Sequence, residues 1–168
     1  MPRRKGRKGL KAMKKDAAGI KVIAKNKKAF FEYHIEEKVE AGLALSGSEV
    51  KSLRDGRGNL SDAYAVIKGG EAFLLHAHIS PYPPAAGMNH EPKRARKLLM
   101  HKKEILKIYD RLKRSGSTLI PLMLYFKNGR AKVELGLAVG KKKYDKRAAI
   151  KKRETGREIA KAMRHKNR

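Results

Sequence analysis

The chain has 168 residues, with 43 Lys and Arg against 16 Asp and Glu and a formal charge of +27. A cationic excess of this size points to polyanion partners and says nothing of fold, while the absence of cysteine excludes disulfides and thiolate metal sites. No apolar run approaches the roughly 18 residues that cross a bilayer, and the basic N-terminus lacks a signal-peptide core, so a soluble cytoplasmic protein without a membrane partner is expected.

The charge is unevenly placed. Residues 1–28 hold 12 basic side chains and one acidic, residues 141–168 hold 13 and three, and the middle holds 18 and 12. The length suits one domain with extensions. The expected division is a basic disordered arm over 1–19, a folded body over 20–140 and a basic tail over 141–168, disordered when free and helical when bound. In the arm, self-repulsion and scarce apolar groups oppose folding.

From Tyr33 the pattern turns to alternation. Tyr33, Ile35, Val39, Ala41, Leu43 and Leu45 share one face of a strand, interrupted by Glu37, and His34, Glu36, Lys38 and Glu40 share the other. Ser46 and Glu49 have capping-box spacing, which predicts a short helix with Val50 and Leu53 inward and Gly56 at its end. Two strands follow, Ala63–Lys68 and Glu71–Ile79, turned by Gly69-Gly70. Pro81, Pro83, Pro84 and Gly87 mark a loop without regular structure. Pro92 opens a basic helical segment with Leu98, Leu99, Ile105, Leu106, Tyr109 and Leu112 as its apolar stripe, a break at His101–Lys103 and a stop at Gly116.

Asn128-Gly129 marks a second hairpin. Ile120, Leu122, Leu124 and Phe126 line one face of its first strand, and Val133, Leu135, Leu137 and Val139 one face of its second. Pro121 suits an edge or a strand start. Five or six antiparallel strands without βαβ crossovers predict a mainly β fold: a small antiparallel OB-like barrel with two or three flanking helices and basic terminal extensions.

No catalytic constellation emerges. Ser48-Glu49-Val50-Lys51 has the S-x-x-K spacing of acyl-enzymes but lacks the companion motifs, and a capped surface helix accounts for it. Gly136–Lys142 resembles a phosphate loop but has three residues between its glycines, and Lys142 stands where Ser or Thr belongs. His76 and His78 share a strand face with no third ligand in view, so they read as strand side chains. No metal, no cofactor and no enzymatic activity are expected.

The tail carries a different signal. On a helix, Lys146, Arg153, Arg157, Lys161 and Arg164 fall within an arc of about 80°, with Ala149, Ile159, Ala160 and Met163 on a neighbouring face. Pairs Glu154–Arg157 and Glu158–Lys161 favour helix, and Gly156 opposes it by about 1 kcal/mol. Tyr144, set among Lys141, Lys142, Lys143, Asp145, Lys146 and Arg147, offers a stacking surface worth roughly 1–3 kcal/mol per base. Neutralising about six to ten phosphates would cost roughly 10³–10⁵ in affinity between about 50 and 200 mM salt.

Four segments in order, EAGLALSGSEVKSLRDGRGNLSDAY, GEAFLLHAHISPY, KRARKLLMHKKEI and KVELGLAVGKKKYDKR, make residues from Ile20 to Glu158 resemble the SmpB (SsrA-binding) family of bacterial tmRNA-binding proteins. The resemblance implies an OB barrel that binds the tRNA-like domain of tmRNA and takes it to stalled ribosomes for trans-translation. It implies that the tail reads the empty decoding centre and mRNA channel of the small subunit. Alanyl-tRNA synthetase and elongation factor Tu become indirect partners through the same RNA. By motif, Glu40 of EAGL, Leu99 of KLLM and Lys132 of KVELG are implied RNA contacts, with Tyr33 beside them. A carboxylate repels phosphate, so Glu40 is expected to accept from a base or a 2′-hydroxyl. Lys141 to Arg147, with Arg153, Arg157, Lys161 and Met163, form the implied ribosome-binding set, Tyr144 standing where the family stacks an aromatic or histidine ring on ribosomal RNA. Ala162-Met163 replaces the usual bulky apolar pair, which weakens apolar anchoring there. A generic basic RNA chaperone or ribosome-associated protein is the alternative.

Overall fold

In chain order the elements of the computed structural model are β1 (Lys15–Asp16), β2 (Ile20–Lys25), α1 (Lys27–Glu32), β3 (Tyr33–Leu43), α2 (Gly47–Arg54), β4 (Gly58–Asn59), β5 (Tyr64–Lys68), β6 (Glu71–Leu75), β7 (His78–Ile79), β8 (Arg96–Leu99), α3 (Lys102–Ser115), β9 (Thr118–Lys127), β10 (Arg130–Gly140) and α4 (Lys143–Lys166). The structure describes residues 15, 16 and 19–166, so most of the expected N-terminal arm lies outside the described residues. Six strands form a ring, β9–β10–β3–β8–β6–β5, closed where β5 pairs back on β9 through Ala65 and Leu119. Strands β2 and β1 extend the sheet outward from β9, and β4 and β7 pair separately. All pairings are antiparallel. The fold is the mainly β, OB-like barrel expected from the alternation, and closure removes the exposed edges of its ring.

The ring encloses Leu53, Leu74, Leu98, Leu119, Leu124, Val133, Leu135 and Leu137, all essentially inaccessible to solvent. Each such side chain contributes roughly 1.5–3 kcal/mol by leaving water. Helix α2 lays Leu53 over the core, and its capping box holds, with the Ser46 N–H donating to Glu49 Oε2 at 2.8 Å. A smaller cluster of Ala29, Ile120, Leu122 and Ala138, with Tyr33 and Ile35 against it, lies under α1.

Several expectations need correction. The strand foreseen from Glu71 to Ile79 is two, because His76 takes a left-handed φ of 56° between β6 and β7. His76 and His78 therefore do not share a strand, and His76 stacks on Tyr64 instead, ring centroids 5.5 Å apart. The basic segment after Pro92 is not one helix. Arg96 and Leu98 are buried while Lys97 and Leu99 are exposed, a period of two that makes β8 a strand. Helix α3 then starts at the expected break, with the His101 N–H donating to Glu104 at 3.1 Å, and ends at Gly116 with φ of 60°. Its buried stripe is Ile105, Ile108 and half-buried Leu112, while Leu106 and Tyr109 are exposed. The proline loop contains a 3-10 segment, Pro83–Met88, kinked at Ala86.

Pro121 falls inside β9, beyond the last rung with β2, at a register shift where Met123 faces Glu134 and Pro121 faces Leu135. A bulge is where a strand tolerates a missing donor. It also divides the expected row. Leu124 and Phe126 point into the barrel, whereas Ile120 and Leu122 join the cluster under α1. A second shift between Leu137 and Ala138 divides β10 in the same way, with Ala138 in the small cluster and Val139 half-buried.

Sequence reasoning assigned no strand or helix to residues 20–32, which form β2 and α1. Buried Asn26 organises them. Its Oδ1 accepts from the Ala29 N–H at 3.0 Å, and its Nδ2 donates to the carbonyls of Leu60 and Pro121, both at 3.0 Å.

Candidate nucleic-acid interface

The strand register brings three of the implied RNA-contacting residues together. Leu99 of β8 faces Gly42 of β3, Gly42 faces Lys132 of β10, and Lys132 faces Tyr125 of β9. Directly opposed residues of antiparallel strands share a face, so Leu99, Lys132 and Tyr125 stand in one row across the outside of the barrel. Glu40, two residues from Gly42, lies on the same face. Gly42 permits the close fit, since a Cβ there would lie 3.2 Å from the Cβ of Leu99. Leu99 is 53% exposed, high for a leucine anchored in a closed barrel, and two adjoining clefts are among those it lines. One, of about 530 Å³, is bounded by Glu40, Lys132, His101 and Glu104; the other, of about 440 Å³, by Leu45, Phe126, Arg130 and Lys132.

Glu40 is heavily engaged. Its Oε2 accepts from the Tyr125 hydroxyl at 2.5 Å and from Lys127 Nζ at 3.2 Å, and its Oε1 pairs with Lys132 Nζ at 3.1 Å. The Tyr125 hydrogen bond and the two lysines outweigh partial burial and hold the carboxyl down to about 2. Burial, with the hydrogen bond to the charged Glu40, pushes the Tyr125 hydroxyl pKa up. Both carboxylate oxygens are thus occupied by donors of the chain itself. Tyr125 and Lys127 escaped sequence reasoning, although both fall outside the inward set Leu124 and Phe126.

Tyr33 is not part of this row. It opens β3, faces Gly140 in register and packs against the cluster under α1. Seven residues of strand, roughly 23 Å, separate it from Glu40.

The orientation of β8 rests on a buried ion network that the sequence did not reveal. Glu49 and Arg96 side chains are wholly buried, with Arg96 Nε 2.8 Å from Glu49 Oε1. Arg94 grips the same carboxylate at 2.8 and 2.6 Å. Arg96 also donates to the carbonyls of Ala77, Arg94 and Pro92 at 2.5, 3.2 and 3.0 Å. Burial raises the Glu49 pKa, but the donors from Arg94, Ser46 and Arg96 outweigh it and leave it lowered. The network ties α2 to the loop ahead of β8, and so to the strand that carries Leu99.

The tail begins at a fixed point. The Lys141 N–H donates to the Glu32 carbonyl at 2.9 Å and its Nζ to the Phe30 carbonyl at 3.1 Å, which fastens the end of β10 to α1. Lys143 and Tyr144 are the first residues of α4, and Asp145 stands in its first turn, where a carboxylate favours the helix dipole. Lys142, Asp145, Arg147, Arg153, Arg157, Lys161 and Met163 are exposed, and Lys146 is half-buried. The helix runs through Gly156 without a break. Ile150, Ile159 and Met163 also face solvent.

Among the described residues no helix is long and apolar enough to cross a membrane, and no group of three or more His, Cys, Asp or Glu could hold a metal ion.

The family model described as SmpB protein matches residues 23–165. The SsrA-binding protein of Geobacter sulfurreducens is 56% identical over 149 residues, which cover 89% of this chain and 97% of that one. The SsrA-binding protein of Myxococcus xanthus is 59% identical over 146 residues, covering 87% and 90%. Among solved structures, a chain from "tmRNA-SmpB: a journey to the center of the bacterial ribosome" superposes with a TM-score of 0.61 at 42% identity, covering 75% of this chain and 92% of that chain. Sequence likeness of this extent, on a barrel of the same fold, identifies the chain as a member of the SmpB family.

Proposed function

We propose that this protein binds tmRNA through the outer barrel face around Leu99, Lys132 and Glu40 and brings it to stalled ribosomes for trans-translation. The observation that carries this reading is the convergence of those three residues from three strands, an exposed leucine beside ammonium groups on a chain of SmpB lineage. Its RNA target is the tRNA-like domain, held by base, sugar and phosphate contacts; the protein catalyses no reaction. The terminal arm over 1–19 and the tail over 141–168 act as cationic extensions of a body over 20–140. The tail is disordered when free and helical when laid in the empty mRNA channel and decoding centre. There Tyr144 stacks, while Lys141, Lys142, Lys143, Lys146, Arg147, Arg153, Arg157 and Lys161 face phosphate, and Met163 makes a small apolar contact. Tyr33, opposite Gly140 at the root of the tail, is a tmRNA contact apart from that row. Alanyl-tRNA synthetase and elongation factor Tu act on the same RNA in the cytoplasm.

Truncation after Gly140 tests the division of labour. The shortened protein is expected to bind the tRNA-like domain as the full chain does and to lose tagging of stalled nascent chains. Undiminished tagging would remove the tail from the mechanism. Equal affinity of the full chain for that domain and for a duplex of equal length, at about 150 mM salt, would favour a generic basic RNA chaperone.

A further inference from the structure

Three donors of the chain converge on the Glu40 carboxylate, two of them ammonium groups from opposite strands of one hairpin. A carboxylate offers about four acceptor positions, so three donors leave little for a base or a 2′-hydroxyl. Its charge also opposes the phosphates that surround any RNA groove. Lys127 and Lys132 each spend one N–H on Glu40, and an ammonium has three, so both retain donors. Their side chains are 43% and 30% exposed, which leaves those donors facing outward. With one carboxylate between two ammonium groups, the cluster keeps a net positive charge.

We propose that Glu40 is a positioning residue that brackets Lys127 and Lys132 as a pre-set pair of phosphate-binding groups beside Leu99, with Tyr125 fixing the bracket from below. Lys127 is thereby a further RNA-contacting residue. Free lysine side chains lose rotamer freedom when they bind, and a bracket removes that loss before the RNA arrives. The negative charge of Glu40 works through its neighbours and not on the ligand. The chemical class recognised is a run of backbone phosphates of folded RNA, with Leu99 meeting the sugar or base edge between them. This inference rests on the proposed use of the barrel face for RNA.

The test is a double-mutant cycle on the full chain, with an in vitro transcript of the tRNA-like domain of tmRNA as probe and affinity measured across a salt series. Lys127→Ala is expected to lower the slope of log K against log salt by about one. Glu40→Gln is expected to weaken binding about five- to tenfold in the native background, yet less than about twofold in Lys127→Ala/Lys132→Ala, because coupled residues fail to add. Tyr125→Phe, which keeps the ring, is expected to weaken binding in the same direction as Glu40→Gln with the thermal midpoint recorded alongside. An equal cost of Glu40→Gln in both backgrounds would overturn the bracket and make Glu40 an RNA ligand. Unchanged affinity and slope in Lys127→Ala/Lys132→Ala would overturn the RNA face itself, and the bracket with it.

Discussion

Replacing Arg96 by methionine should be among the most damaging single changes available in this barrel. Methionine fills much of the volume but removes every donor. Glu49 Oε1 loses the 2.8 Å contact with Nε, and the carbonyls of Ala77 and Arg94 lose theirs, while that of Pro92 keeps the Ile79 N–H at 3.0 Å. Breaking a buried pair from one side typically costs about 3–5 kcal/mol, and each buried acceptor left without a donor adds roughly 1–3 kcal/mol. Arg94 still holds both oxygens of Glu49, which offsets part of this. A net loss of about 3–5 kcal/mol is expected, against a total stability of about 5–15 kcal/mol for a domain of ordinary kind. Urea titration followed by circular dichroism reads the loss directly, with an unchanged m-value showing that the same surface unfolds. The pH dependence sharpens the test. Glu49 has a lowered pKa in the folded protein, so its stabilisation is present above its ordinary value of 4.5 and fades as pH falls below it. The gap between native protein and Arg96→Met should therefore be widest near neutrality and narrow in acid. A loss below about 1 kcal/mol at neutral pH would show that the network is not what holds β8.

The other expectations concern separate parts of the molecule. Glu40 titrates near 2 when folded against 4.5 otherwise, so its contribution is complete above 4.5 and is lost between 4.5 and about 2. Glu40→Gln should flatten that acid limb of the stability profile, by a modest amount because the side chain is 36% exposed and screened; an unchanged limb would discount the hydrogen bonds to it. Gly136→Ala would place a Cβ 3.0 Å from Leu122 Cδ1 and 3.1 Å from Ile35 Cγ2. Overpacking there should cost about 1–3 kcal/mol in thermal unfolding, and a neutral result would show that the small cluster under α1 yields easily. Gly156→Ala meets nothing within 4 Å in α4. It should raise tail helicity in far-UV circular dichroism by the equivalent of about 1 kcal/mol without moving the barrel midpoint, and unaltered helicity would count against a marginal free helix.

Local chemistry explains which elements were legible in advance. The hairpins at Gly69-Gly70 and Asn128-Gly129, the capping box at Ser46 and Glu49 and the stop at Gly116 all depend on residues close in sequence, and all stand where expected. The alternation from Tyr33 to Leu43 likewise appears as a strand with its odd positions inward. The failures come where distant contacts override a local pattern. β8 reads as helix until Arg96 is seen to be buried, and only its partner Glu49, 47 residues away, makes that burial tolerable. The even-numbered row of β9 is split by a bulge whose cause, Pro121 beyond the end of β2, depends on where another strand stops.

Composition and pattern alone determine that the protein is a cationic β barrel with two tight hairpins and a basic tail, because charge and period are properties of neighbouring residues. Motif likeness adds which residues to suspect. Tertiary structure decides that Leu99, Gly42, Lys132 and Tyr125 form one row, since alternation tells which face a residue occupies but not which strand lies beside it or in what register. It also decides that Glu40 meets two lysines and a tyrosine of the chain before it can meet any RNA, a consequence of three-strand packing that no reading of EAGL in isolation contains.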